Sequence, residues 1–262
     1  MEFLHFFDIM SLFNEKIKEI SIRDALIIII LSYLAALVLK FLNLSILGIF
    51  NVVIILYFVL RLKAFKQEFK LEVSEMFAKI SFKDILLLVL FNICFSYGML
   101  YLVNFVIDLI SLNTLRFFIP IKSIMGVLGF LSIVLVSPIA EELIFRGIFL
   151  NKLKLIIPTV FAILISSLLF ASLHSLGSIF SAFIFAICMA LLYLKSDNIL
   201  VPIFAHFLNN FIGESLYHLD YTNLLFSNEI VMCVMSILAI VSFIFILKFI
   251  NSNMKYLNNP KI

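Results

Sequence analysis

Cysteine is scarce in this chain, and the way it is spaced excludes two classes of protein. Cys94, Cys188 and Cys233 each stand alone in an apolar run, without the CxxC or Cys/His spacing that would hold a metal or a disulfide framework. Buried packing is their expected role. Charge is scarce as well, at 13% of residues with a formal net of only +3. No Lys/Arg cluster is interleaved with aromatics on a polar face, which argues against a nucleic-acid partner. The chain lacks a Gly/Ser/Pro linker, an internal repeat of fixed period and a low-complexity tract beyond its apolar bias. It therefore reads as one domain over residues 1–262. A short apolar core followed by a small-residue cleavage site is missing near the N-terminus, so no removable signal peptide is expected.

What the chain has instead is hydrocarbon. Hydrophobic residues make up 64% of its 262 positions, 31 of them phenylalanine, and the mean hydropathy is +1.22. A water-soluble chain of this length could not hide so much apolar surface in one core, so lipid must be its main solvent. The expected fold class is all-α, a polytopic membrane protein with about eight transmembrane helices. The apolar runs fall at 24–39, 45–62, 85–110, 123–150, 158–174, 177–194, 199–212 and 230–250, the seventh continuing toward Leu219. Residues 1–23 alternate Phe3, Phe6, Phe7, Met10 and Phe13 with charges at helical spacing and predict an interfacial amphipathic helix. With the N-terminus inside, 16 of the 19 Lys and Arg residues fall in or beside cytoplasmic segments and 3 on the other side. That asymmetry predicts cytoplasmic termini and an even number of spans.

Polar residues inside such spans are expensive and tend to mark function. The stretch SPIAEELIFRG, residues 137–147, carries three charges. Glu142 and Arg146 are four residues apart, on one helical face and within reach of an ion pair, whereas Glu141 is rotated away by about 100° and has no obvious structural partner. Phe170 with His174, and His206 with Asn210, repeat the four-residue spacing on two later helices. Counting ~1.5 Å per residue from the proposed helix ends puts Glu141, His174, His206 and Asn210 at depths where they could meet in mid-membrane. Pro138 should loosen its helix one turn before the acids. Such a meeting suits water activation: a carboxylate in a poorly solvated pocket is a better base, and an imidazole beside it can orient the water or share its proton. Glu141 and His174 fit those roles. His206 and Asn210 could donate hydrogen bonds to the oxyanion formed when water adds to a peptide carbonyl.

These three segments carry a resemblance. EELIFR, FASLH and HFLNN follow EExxxR, FxxxH and HxxxN in the order and approximate spacing of the CPBP family, the CAAX protease and bacteriocin-processing membrane proteins also called Abi. The likeness covers about residues 137–213, and places the catalytic core helices at 120–213. It implies an intramembrane glutamic endopeptidase in which Glu141 and His174 activate water, His206 and Asn210 form the oxyanion site, and Glu142, Arg146 and Phe170 support them. The expected cofactor is none. Proteins of this kind have also been labelled metalloproteases; HExxH is absent here, but two histidines and a glutamate could form a three-ligand zinc site.

The expected partners are the lipid bilayer and a membrane-associated or exported peptide, such as a bacteriocin, a leader sequence or a CAAX-type C-terminus. Abundant Ile, Leu, Phe, Lys and Asn suggest an A/T-rich genome and hence a bacterial cell membrane. A non-catalytic immunity or scaffold protein would keep the same polar cluster for binding. A proton-coupled transporter is disfavoured, because no two halves of the chain resemble an inverted repeat. Asn92, Asn104, Asp108 and Asn209 read as packing or interfacial residues; Glu214, Tyr217, His218 and Asp220 look metal-like, but a solvated helix end explains them more simply.

Overall fold

The computed structural model describes residues 14–39, 46–62, 66–109, 126–220, 222 and 224–258. Of these residues 88% are helical and none lies in a strand. The interfacial helix expected over 1–23 falls largely outside them, although residues 14–19 are helical. The main helices are α1 (Ile22–Leu39), α2 (Ile46–Leu62), α3 (Lys66–Ser74), α4 (Phe82–Leu109), α5 (Val127–Leu153), α6 (Thr159–Ala171), α7 (Ile179–Ser196), α8 (Leu200–Leu219) and α9 (Glu229–Asn258).

Four stretches among the described residues are long and apolar enough to cross a bilayer: Phe82–Val103, Val127–Leu153, Ile179–Ser196 and Glu229–Lys255. Gly48–Leu62 and Thr159–Ala171 are apolar but shorter than the ~20 residues a perpendicular crossing needs. The chain is an integral membrane protein. The expected count of about eight spans is not confirmed among the described residues, although the runs around α1, α2, α6 and α8 are helical as expected. Of the polar residues on α4, Asn92 is described, whereas the side chains of Asn104 and Asp108 lie outside the described residues.

Helix α7 sits at the centre. Ala182, Ala186 and Ala190 recur every fourth residue and are buried, so neighbouring backbones can approach it closely. Helices α5, α6 and α8 pack around it, and α2 lies against the first half of α5. At the periphery α1 buries Ala25, Ile28, Ser32 and Ala36 along one stripe and exposes Leu26, Ile30 and Leu34 on the other. Helix α9 lies along α4 through two stacked ring pairs, Phe91 with Phe245 at 4.5 Å and Phe95 with Phe243 at 5.1 Å. Gly98 allows this contact: a Cβ there would run into the Ala239 Cβ and the Met235 carbonyl.

Helix α5 is the element that shapes the site. It runs without a break, but its turns widen to π geometry over Ser132–Val136 and again over Leu143–Leu150, flanking the α-helical Ser137–Glu142. Pro138 explains the first of these. Lacking an N–H, it cannot extend the regular ladder, and the chain loosens immediately before it. The loosening expected from Pro138 thus takes the form of a wide turn.

A polar apron closes the end of the bundle where α5 and α7 finish. Lys18 reaches Glu15 at 2.8 Å and Asp197 at 3.2 Å. Burial works against the Lys18 ammonium, but Glu15 and Asp197 outweigh it and hold its pKa above the usual lysine value. Asn14 donates to the Asp197 carbonyl, and Lys152 to that of Lys18. Asp197 takes φ +51° to turn from α7 into α8, a conformation its short polar side chain tolerates. From α3, the Glu72 carbonyl accepts the Asn198 amide at 2.8 Å. Gly147 completes the seam: a Cβ there would stand 2.7 Å from Ile17 Cγ2.

Candidate active site

The two adjacent acids of α5 have different surroundings. Glu142 is fully buried and its Oε1 accepts from Arg146 Nη1 at 3.1 Å, the pair expected from the four-residue spacing. The guanidinium is 1% exposed. Its Nη2 donates to the Ala186 carbonyl of α7 at 3.0 Å, and its Cζ lies 4.8 Å from the centre of the Phe170 ring. A buried charge of this kind persists only when its hydrogen bonds are met, and here a carboxylate, a carbonyl and an aromatic face meet them. The same Glu142 Oε1 takes a second bond, 2.8 Å from His206 Nδ1. Because an ionised carboxylate only accepts, His206 carries a proton on Nδ1.

Glu141 is about 20% exposed, the accessible member of the two. It is not without a partner, as the spacing of charges had suggested. Ser137, one turn earlier, donates from Oγ to Glu141 Oε1 at 2.6 Å. Asn51 of α2 donates from Nδ2 to that same Oγ at 2.7 Å. The other oxygen, Oε2, faces His206 Nε2 at 3.9 Å. Sequence reasoning missed both Ser137 and Asn51. The signals were there: Ser137 precedes Glu141 by the same four residues that join Glu142 to Arg146, and Asn51 is a lone amide in the run ILGIFNVVIIL.

His174 stands past the end of its helix rather than on it. Helix α6 stops at Ala171, three residues short of the span expected to His174. The serines of FASLHSLGS explain this, since their hydroxyls offer the backbone local alternatives to the helix: Ser172 Oγ bonds the Leu169 carbonyl at 2.7 Å and Ser178 Oγ that of Ser175 at 3.1 Å. The His174 ring is nonetheless held to the preceding turn. Its Nδ1 lies 3.2 Å from the Phe170 carbonyl, which can only accept, so the proton is on Nδ1 and Nε2 is left as the basic nitrogen. Glu141, His206 and Arg146 are its electrostatic neighbours. Phe170 lies among them all. It is 1% exposed, with ring centroids 4.9 Å from His174, 5.8 Å from His206 and 5.4 Å from Phe145.

Asn210 joins α8 to the wide turn of α5. Over Ser132–Val136 the Ser137 N–H bonds to the Ser132 carbonyl, five residues back, which releases the Ile133 carbonyl from the ladder. Asn210 Nδ2 donates to that carbonyl at 3.0 Å. The amide has a second N–H for another acceptor. Asn209 looks elsewhere, accepting from Asn92 of α4 at 2.9 Å, and so ties α8 to its neighbour. Glu214 and His218, 3.8 Å apart, pair with each other further along α8. As for a metal, Glu141, His174 and His206 are the residues that would have to supply ligands. Among the described residues no group of three His, Cys, Asp or Glu side chains is arranged to hold an ion.

Residues 123–212 match the family model described as Type II CAAX prenyl endopeptidase Rce1-like. That model is one of the CPBP family, and it covers about a third of the chain. No curated protein and no solved structure matches the chain. The CPBP segment contains Ser137, Glu141, Glu142, Arg146, Phe170, His174, His206 and Asn210, and stops short of Asn51. A membrane peptidase of the CAAX-protease type is the activity to which this match points.

Proposed function

We propose that the chain is an intramembrane endopeptidase in which Glu141 and His174 activate a water molecule for attack on a peptide carbonyl. The observation that carries this reading is the state of Glu141: it is the accessible acid, one oxygen is occupied by Ser137, and the other is free to take a proton. His174 offers an unprotonated Nε2 as second proton acceptor. On the other side of the reacting carbonyl, His206 is oriented by Glu142 through Nδ1. When the imidazole is protonated on both nitrogens, Glu142 stabilises it and Nε2–H donates to the oxyanion, joined by the second N–H of Asn210. Proton return to the leaving amine by Glu141 completes hydrolysis.

The substrate is a membrane-associated or exported peptide, processed near its C-terminus or at the membrane boundary; bacteriocin, leader and CAAX-type cleavage are the classes to be separated. The reaction needs no metal, and both termini face the cytoplasm. Purified protein in lipid nanodiscs is expected to cleave such a peptide. Glu141→Gln and His174→Ala should each lower kcat by about 10²- to 10⁴-fold while the protein stays folded. Retention of full activity by both variants would sink the catalytic reading and favour an immunity or scaffold role. Inhibition by a chelator that zinc reverses would replace the metal-free mechanism with a zinc-dependent one.

A further inference from the structure

We propose that Ser137 and Asn51 are positioning residues that select which oxygen of Glu141 acts as the base, and that α2, outside the CPBP segment, thereby completes the active site. The inference rests on the reading of Glu141 as the catalytic carboxylate. Its own foundation is a directed chain of hydrogen bonds. The Asn51 amide nitrogen can only donate, and an ionised carboxylate can only accept, so the single proton of Ser137 must point at Glu141 Oε1 while a lone pair of Oγ receives Asn51. All three groups meet in a closely packed seam: Asn51 is 1% and Ser137 5% exposed.

The arrangement has two consequences. A hydroxyl already receiving a hydrogen bond is a stronger donor, so Oε1 is firmly engaged. That leaves Oε2, on the His206 side, as the oxygen available to water. The bond also fixes the rotation of the carboxylate plane: among the described residues Ser137 is the donor in hydrogen-bond contact with Glu141, and His206 Nε2 stands off at 3.9 Å. Serine at 137 suits this role because it lies one helical turn before the acid, and asparagine at 51 suits it because a donor that cannot ionise can be buried in lipid-facing structure at modest cost.

The experiment uses the full chain in nanodiscs with four variants, Ser137→Ala, Ser137→Thr, Asn51→Leu and Glu141→Gln. Infrared difference spectra of wild type against Glu141→Gln isolate the carboxyl bands of Glu141 without any substrate. Those bands should shift in Ser137→Ala and Asn51→Leu and return toward the wild-type position in Ser137→Thr, which keeps the hydroxyl. Unmoved bands in Ser137→Ala would overturn the proposal. Turnover of a quenched peptide ending in a farnesylated CAAX sequence supplies the second readout: Ser137→Ala should lower kcat by about 10- to 100-fold with KM within about twofold, and Ser137→Thr should recover most of the loss. If Glu141→Gln is inactive but Ser137→Ala turns over like wild type, positioning fails and the catalytic reading stands. If Glu141→Gln remains fully active, the catalytic reading itself fails. Should Asn51→Leu not fold, the Ala/Thr pair at Ser137 carries the test alone.

Discussion

Helices α7 and α9 are both long and apolar, yet 72% of the apolar stretch of α7 is buried inside the protein and only 17% of the most apolar stretch of α9. The more apolar of the two is the peripheral one. Hydropathy therefore sorts membrane from water but not protein interior from lipid, since a leucine is equally content in either. What distinguishes the two helices is how they are joined to their neighbours. The central seam between α5 and α7 is polar, built on Arg146 reaching the Ala186 carbonyl and on Asn151 donating to Tyr193 at 2.8 Å. The peripheral seam between α4 and α9 is steric, built on stacked phenylalanines and the close approach at Gly98.

The sharpest way to break this contrast is to remove a polar group from the central seam. Arg146→Met leaves Glu142 and the Ala186 carbonyl without the guanidinium, and should destabilise the protein by about 3–5 kcal/mol in a reversible detergent-unfolding titration. A loss below about 1 kcal/mol would mean that the buried pair does not hold the core together. A smaller effect is expected in the peripheral seam. Gly98→Ala forces α4 and α9 apart, at about 1–3 kcal/mol by the same titration, and should leave turnover nearly unchanged because neither helix carries a proposed catalytic group. Equal loss of activity and stability there would show that the two seams are coupled.

The smallest effect concerns the apron. Burial, with Asp197 adding to it and Lys79 and Lys18 opposing, pushes the Glu72 carboxyl up to about 8 from an ordinary 4.5. A folded-state pKa above the unfolded one means that the folded chain holds a proton the unfolded chain releases. The associated stability is present in full below about pH 4.5 and is lost as pH rises through about 8. Glu72→Gln stays neutral throughout, so its Tm should fall less than that of wild type between pH 5 and pH 9. Parallel Tm curves for the two proteins would remove Glu72 as the source of the pH dependence.

How much of the site could be read from the chain follows from the kind of contact involved. Glu142 with Arg146 was legible because both ends of the bond lie on one helix, where spacing alone fixes the face. His206 and Asn210 were legible as polar residues sharing a face of α8, but not the atoms they would meet: Glu142 Oε1 and the Ile133 carbonyl lie on another helix, and the second is exposed only because α5 widens. Asn51 was out of reach for a related reason. It lies 86 residues from Ser137, and its role depends on how α2 slides against α5, which hydrophobic periodicity does not specify. The end of α6 was missed because three serines around His174 compete for the backbone that periodicity assigns to the helix. Ser137 could have been found by the rule already in use.

The wide turn at Leu143–Leu150 has a consequence for the gene as well as for the protein. A stretch bonded five residues back holds, in effect, one residue more than the ladder needs. Deleting a single codon between Arg146 and Asn151 would let that stretch relax to an ordinary α-helix, leaving the acids in place but rotating everything after the deletion against α7. Asn151, which now donates to the Arg146 and Gly147 carbonyls and to Tyr193, would be the first to lose its partners. The number of residues in FRGIFLN thus sets the phase between the half of α5 that holds the carboxylates and the half that anchors it to the apron.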